Sequence, residues 1–325
     1  MRAELTDDPG AFLTRDWTPL VMADTWGTFF HTPAYLKLWW EEFGSGSLVI
    51  ALLEDEGRPT GACAFQVEGG VLAFLGGFDV TDYMGPVAPP GREEAVAKEL
   101  LAALAADVTW ERADLRGVPA DSPWLAALES AALAQGFRPE TQTDGAAPVL
   151  SLPDTFDGYL AGLAPKLRHE VRRKSRRLEA RFGGYQVTLA DQETLPAYLD
   201  RFVALHRTSP GPKGRFMHAG MVIFFRRLAE AFLAPHVYHL AFIEVDGTPA
   251  AGAIGFAFKD TFSLYNSAFD RAFAGWSPGM VLVANMIAGA IAGGRSTFDL
   301  LKGDLEYKRR FGPTPRPLAR LSVER

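Results

Sequence analysis

The chain repeats itself. Ala51 to Gly76 reads ALLEDEGRPTGACAFQVEGGVLAFLG and Ala241 to Asn266 reads AFIEVDGTPAAGAIGFAFKDTFSLYN; without a gap Ala51 falls on Ala241, Glu54 on Glu244, Gly57 on Gly247 and Pro59 on Pro249. Each copy alternates apolar and small residues around an acidic-Gly turn, the pattern of strand, turn, strand, turn, strand. Shared turn chemistry as well as shared hydrophobicity reads as a duplicated domain, the alternative being two unrelated hairpins. At 325 residues, with 48% hydrophobic and 22% charged residues, the chain has the length and composition for two globular cores.

Helices are expected around each copy. Thr32 as cap, Pro33 at the first helical position and Gly44 at the end frame AYLKLWWEEF, and a second Pro-Ala-Tyr-Leu at Pro196 opens a helix to about His206. Further helices are predicted from about Arg92 to Ala106 and from Pro123, capped by Ser122, to Gly136. The polar run Arg138 to Pro148 reads as a passage between domains, which places residues 1–152 in one mixed α/β (α+β) half and 153–325 in the other.

Cys63 is the only cysteine, which excludes an internal disulfide and a cysteine metal cluster; its alternating apolar surroundings make it a core residue. The acidic N-terminus lacks a secretory signal, and Met280 to Ala292 is short of the ~20 apolar residues that cross a bilayer. A cytoplasmic, reducing setting is expected, with no metal and no tightly bound cofactor.

Charge is segregated. Lys166 to Arg181 carries eight basic residues, Arg172 and Arg173 among them, against Glu170 and Glu179; the net +6 of this run stands in a chain of net −6. Leu160, Leu163, Leu167, Val171 and Leu178 approximate one helical face and leave the arginines outward. Only Glu170 and Lys174 have helical ion-pair spacing, so the run either docks on the acidic remainder of the protein or binds an anion such as a CoA phosphate, a nucleotide sugar or tRNA.

The segment from Thr261 carries the strongest chemical signal. TFSLYNSAFD reads as a strand, DRAFAGWSPG as a turn with Gly275 and Gly279, MVLVANMIAGAIAGG as a helix, STFDLL as a strand, and KGDLEYKRRFG as a short helix capped by Asp304. A strand-turn-helix points backbone N–H groups at the helix start, where a pyrophosphate-bearing donor fits.

SPGMVL followed by FDLLKGDLEYKRRFG resembles the closing motif of the CelD/FemAB-like branch of the GNAT acyltransferases. APKLRHEVRRKSRRLEARFG resembles the basic element that opens the second domain of that branch, and FHTPAYLKLWW its N-terminal start. The resemblance implies two tandem GNAT-like domains and acyl transfer to an amine or hydroxyl, from acyl-CoA or, in the Fem branch, from aminoacyl-tRNA. It implies donor contacts at Ser267, Ala268, Gly275, Ser277, Gly279, Met280 and Lys308, with carbonyl polarisation by backbone N–H groups from Asn266 to Ala268 if that strand splays from the next. Tyr307 is the expected general acid, and Asp304 a base or a cap. Asp82 and Tyr83 resemble an acceptor-side loop for a small molecule or envelope precursor. One departure stands out: Arg271 to Gly279 lacks the usual spacing of the pyrophosphate loop, and Pro278 removes a donor.

Two other classes fit parts of the sequence. Gly275-Trp-Ser277-Pro-Gly279 matches a hydrolase nucleophile elbow, but no histidine follows Ser277 in sequence. A non-catalytic binding module of the same fold is the other. His206 and His218 flank a Gly/Pro-rich loop that reads as a lid or an exposed connection.

Overall fold

The structure, a computed structural model, describes residues 1–77, 79–303 and 305–325. The chain forms two compact units, residues 1–147 with 316–325, and residues 148–315. The division expected at 152/153 thus falls slightly earlier, and the last ten residues return to the first unit.

The first unit contains β1 (Arg2–Thr6), α1 (Ala11–Thr14), α2 (Thr18–Ala23), α3 (Pro33–Phe43), β2 (Ser47–Asp55), β3 (Arg58–Glu68), β4 (Val71–Phe74), α4 (Glu93–Asp107), β5 (Arg112–Pro119), α5 (Pro123–Ala134) and most of β6 (Arg138–Ser151). The second continues with α6 (Phe156–Gly162), α7 (Pro165–Phe182), β7 (Gln186–Leu189), α8 (Leu195–Arg207), α9 (Pro212–Phe216), α10 (Ala219–Phe232), β8 (Tyr238–Val245), β9 (Thr248–Phe258), β10 (Thr261–Phe269), α11 (Pro278–Ala292), β11 (Thr297–Asp299) and α12 (Glu306–Arg309). The final strand β12 (Thr314–Glu324) pairs with β5. Strands run β1-β2-β3-β4-β5-β12 in the first unit, and from the end of β6 through β11-β10-β9-β8-β7 in the second.

The repeat extends to backbone detail. Glu56 and Gly57 turn one hairpin at φ 51° and 76°, Asp246 and Gly247 the other at 50° and 74°. Two successive positive φ values make the turn whose twist suits a two-residue hairpin. Both ladders shift register at the same place, Leu53/Glu54 facing Pro59 and Ile243/Glu244 facing Pro249, because proline has no N–H for the ladder. Each third strand then pairs in parallel over three residues, Val71 to Ala73 with β5 and Thr261 to Ser263 with β11.

Several elements differ from expectation. Arg138 to Pro148 lies within strand β6; its mostly exposed side chains follow no apolar alternation, so the burial pattern that marks most strands is missing. Thr32 caps α3 as predicted, accepting from the Tyr35 N–H. Ser122 stands at the N-cap of α5, but its hydroxyl donates to the Pro119 carbonyl instead. The apolar stripe assigned to the basic helix belongs to two helices, since α6 stops before Leu163 and α7 restarts at Pro165. Only Val171 and Leu178 of α7 are buried.

Each unit has its own core, that of the second built around α11, β9 and β10, and Cys63 is buried in the first. Asp24 ties the first unit together: its carboxylate accepts from the Trp26 N–H at 2.6 Å and from the Ala88 N–H and Trp124 Nε1 at 3.0 Å. Asp24→Ala strands buried donors, and urea unfolding is expected to show a loss of about 2–4 kcal/mol.

Candidate functional site

Strands β10 and β11 part company. They pair from Thr261/Thr297 to Ser263/Asp299; β10 then runs on to Phe269, while the Leu300 N–H bonds the Pro148 carbonyl. A notch opens along β10, and Tyr265, Asn266 and Ser267 on its wall are half-buried.

Alternation decides which backbone groups face it. The Asp270 N–H bonds the Ala250 carbonyl on β9, so Ala268 and Asn266 also turn their N–H groups to β9, and Ser267 and Phe269 turn theirs to the open edge. Of the donors expected from Asn266 to Ala268, Ser267 is the one that faces the notch; Ala268 is 3% exposed and only lines the wall. A bulge between Leu264 and Asn266 sets the side chains. It lets Tyr265 stack on Phe225 of α10 while Asn266 meets His206 of α8, on the same face of the sheet.

Tyr307, on the far side of the splay, lies beside the Ser267 side chain; burial raises its pKa, with the Ser267 contact opposing, so it is a protonated phenol at neutral pH. Its helix is clamped. Arg310 bonds Glu170 of α7 and Glu306, both at 2.7 Å, and Tyr159 of α6 donates to the Phe311 carbonyl at 2.7 Å. Helix α12 starts at Glu306 with Leu305 at the N-cap position; Asp304, expected as cap or base, lies outside the described residues. Lys308 is not the exposed anion contact expected. It is 5% exposed, and its ammonium donates to the Leu301 and Lys302 carbonyls at 2.9 and 2.8 Å, tying down a turn in which Leu301 has φ 56°.

The start of α11 is electropositive. Ser277 precedes the helix at φ 57°, ψ 50°, and Lys174 of α7 donates to its Oγ at 2.7 Å. Lys174 was the expected partner of Glu170, but Glu170 goes to Arg310 and leaves Lys174 for Ser277. Partial burial, then the neighbouring Arg173, lower the Lys174 pKa, and Glu170 opposes them. Gly279, second in the helix, faces the Phe269 side chain, which a Cβ would meet at 3.8 Å, and has an N–H that lacks a place in the helical ladder. Gly275 lies exposed in the 3-10 turn Arg271–Trp276. Met280 offers no donor, because its N–H bonds the Ser277 carbonyl and its side chain is buried. The elbow geometry at Ser277 thus meets a lysine.

A groove of about 670 Å³ lies along α7 and α11, lined by Arg168, Arg172, Arg176, His169, Tyr185 and Asn285. Arg172 reaches Asp157 only at 3.5 Å. In the first unit a segment lies against β5 where that strand leaves β4: the Met84 N–H bonds the Gly117 carbonyl of β5, and α4 begins with Glu93 and Glu94, which repel an anion at its N-terminus. Tyr83, expected at an acceptor loop, is 2% exposed with its hydroxyl against Arg316 at 3.4 Å; Asp82 beside it is half-buried.

Among the described residues no cluster of three or more His, Cys, Asp or Glu is placed to hold a metal ion, and no helix is long and apolar enough to cross a membrane.

Residues 165–309 match the family model of the acetyltransferase (GNAT) domain. Comparison with curated proteins gives no match. FemX superposes with a TM-score of 0.68 over 98% of this chain and 97% of its own, at 12% identity. A conserved protein of unknown function from Bacteroides thetaiotaomicron does so with a TM-score of 0.68 over 99% of each chain, at 16% identity. A tandem GNAT protein from the clavulanic acid biosynthesis pathway gives 0.51 over 99% and 98%, at 12% identity. The chain therefore has the tandem GNAT fold that FemX and the clavulanic acid pathway protein share.

Sequence reasoning missed His206 as part of the site, because a histidine on the apolar face of a helix gives no signal beyond burial. Burial, then the Lys213 charge, push its pKa down to about 4, with the Asn266 bond opposing. A histidine that titrates near 4 folded and near 6.5 unfolded gives stability that is present above about pH 6.5 and lost as pH falls toward about 4. Urea midpoints between pH 7 and 4 are expected to fall less in His206→Gln than in wild type, the difference approaching about 3 kcal/mol.

Proposed function

We propose that the C-terminal unit moves an acyl group from acyl-CoA to an amine or hydroxyl of a small-molecule or envelope-precursor acceptor. The observation that carries this reading is a single notch with a phosphate-ready helix start at one end and a protonated phenol in it. Lys174, the Ser277 hydroxyl and the Gly279 N–H form an anion cradle at the head of α11, where Lys174 makes up for the donor that Pro278 lacks. The Ser267 N–H polarises the acyl carbonyl from the open edge of β10. The acceptor attacks that carbon, the C–S bond breaks, and Tyr307 protonates the departing thiolate while the acceptor's proton passes to solvent.

The groove along α7 favours a second donor. Arg168, Arg172 and Arg176 recur every four residues on one helix face, a row of cations suited to a phosphodiester backbone, and FemX shares the fold. An aminoacyl-tRNA donor would use that row. Retention of charged tRNA together with indifference to every CoA would decide for it.

Thermal unfolding should separate the cases: acetyl-CoA, a longer acyl-CoA or desulfo-CoA raises the midpoint if the notch is a donor site, and no shift with any of them removes the acyl-CoA reading. Tyr307→Phe is expected to lower thiol release from the productive acyl-CoA by about 10²–10⁴-fold while its KM stays near wild type. Lys174→Met should instead raise the CoA dissociation constant about tenfold, read by calorimetry, with the loss shrinking at high salt.

A further inference from the structure

Strands β7 and β8 turn Val187, Leu189 and Ala241 to one face of the sheet, since Val187 pairs with Ile243 and Leu189 with Ala241, and α11 packs across that face. Sheet and helix do not close on each other along the second half of α11. A pocket of about 290 Å³ lies between them, walled by Leu189, Ala241, Ala257, Phe262, Met286 and Ala290. Apart from Asn285, which also lines the groove along α7, it takes none of the residues of the notch, of the start of α11 or of that groove.

Its outer wall is apolar and open to solvent. Val187 and Leu189, on the edge strand, are 43% and 61% exposed. Gly289, in mid-helix on the pocket wall, has neither a positive φ nor a neighbouring side chain or strand within 4 Å of where a Cβ would lie. Glycine there costs about 1 kcal/mol against alanine, and a larger side chain would fill the hollow. Stability alone does not account for the pocket.

The polar groups around it are few. Asn285 commits its amide to the Val281 carbonyl at 2.8 Å and the Tyr185 hydroxyl at 3.3 Å, and His239 Nε2 meets the His236 carbonyl at 3.2 Å. Burial holds the His239 pKa below its ordinary value, so the imidazole is uncharged at neutral pH. Arg295 gives one nitrogen to the Lys259 carbonyl and has no carboxylate within 4 Å among the described residues, which leaves its charge available at the pocket. Arg295 also offsets the negative end of α11, so its part in binding must be read from ligand affinity and not from stability.

We propose that this pocket binds a straight-chain fatty carboxylate, with the carboxylate on Arg295 and the methylenes against Leu189, Phe262 and Met286. The volume suits about ten methylene-sized groups, at the small end of ligand pockets. The site is separate from the notch and does not depend on which donor the notch takes.

Titration calorimetry of the full chain with hexanoate, octanoate and decanoate tests it. One site per chain is expected, with a negative heat-capacity change and an affinity that rises about threefold to fourfold per methylene. In protein labelled at the methionine methyls, decanoate should move the Met286 signal and leave that of Met280, at the other end of α11, in place. Gly289→Leu should weaken decanoate binding at least about tenfold while the melting temperature holds or rises, because a glycine leaves a helix. Arg295→Met should weaken decanoate about tenfold and leave decanol unchanged. No binding of any of the three acids, an affinity indifferent to chain length, decanol binding as tightly as decanoate to wild type, or binding that leaves Met286 unmoved each overturns the proposal. The Met286 signal is read in wild type, so it decides the matter even where a variant fails to fold.

Discussion

An unpaired strand edge inside a sheet is costly unless something holds it open. Beyond Ser263 one side of β10 loses its neighbour, and its outward N–H groups must find water, a ligand or another strand. The second unit keeps that edge open by mooring the diverging chain elsewhere: Leu300 pairs with Pro148, the Asp299 carboxylate accepts from the Leu301 N–H at 2.7 Å, and Lys308 ties the next carbonyls. Leu301 adopts a left-handed conformation that leucine disfavours by about 1–2 kcal/mol.

The two halves show what a small change does to a common scaffold. Their hairpins share turn, bulge and three-residue parallel pairing, so the same backbone starts a splay twice. In the first unit Met84 bonds β5 where that strand leaves β4, and two glutamates occupy the first turn of the following helix. In the second, the helix start has no acid in its first turn and receives a lysine from another helix. Electrostatics at one helix terminus, more than fold, distinguishes the two halves.

The repeat was legible because matched turn residues constrain backbone geometry directly: the acidic-Gly pairs at 56–57 and 246–247 require positive φ, and Pro59 and Pro249 require a break in the ladder. Tyr307 and Ser267 could be named from the resemblance of their segments. What sequence could not give was partner choice. Glu170 and Lys174 have ideal helical spacing, yet each leaves the other for a residue far along the chain, since Arg310 offers Glu170 a charge-assisted bond and Ser277 offers Lys174 an acceptor in a partly buried place. Lys308 reads as a surface lysine until the turn at Leu301 shows carbonyls that need a donor. Strand β6 is invisible because its exposed and buried residues follow no alternation.

The bulge in β10 has the widest consequences for chemistry. Were the strand regular, Asn266 and Ser267 would still face opposite sides, but Tyr265 would share a face with Ser267 and the α8/α10 side would lose its aromatic packing. With the bulge, Tyr265 anchors against Phe225 and Phe256, and Asn266 is brought to His206. Ser267 keeps the opposite face and meets Tyr307. One extra residue therefore puts Asn266 and Tyr307 on the two faces of a single open strand.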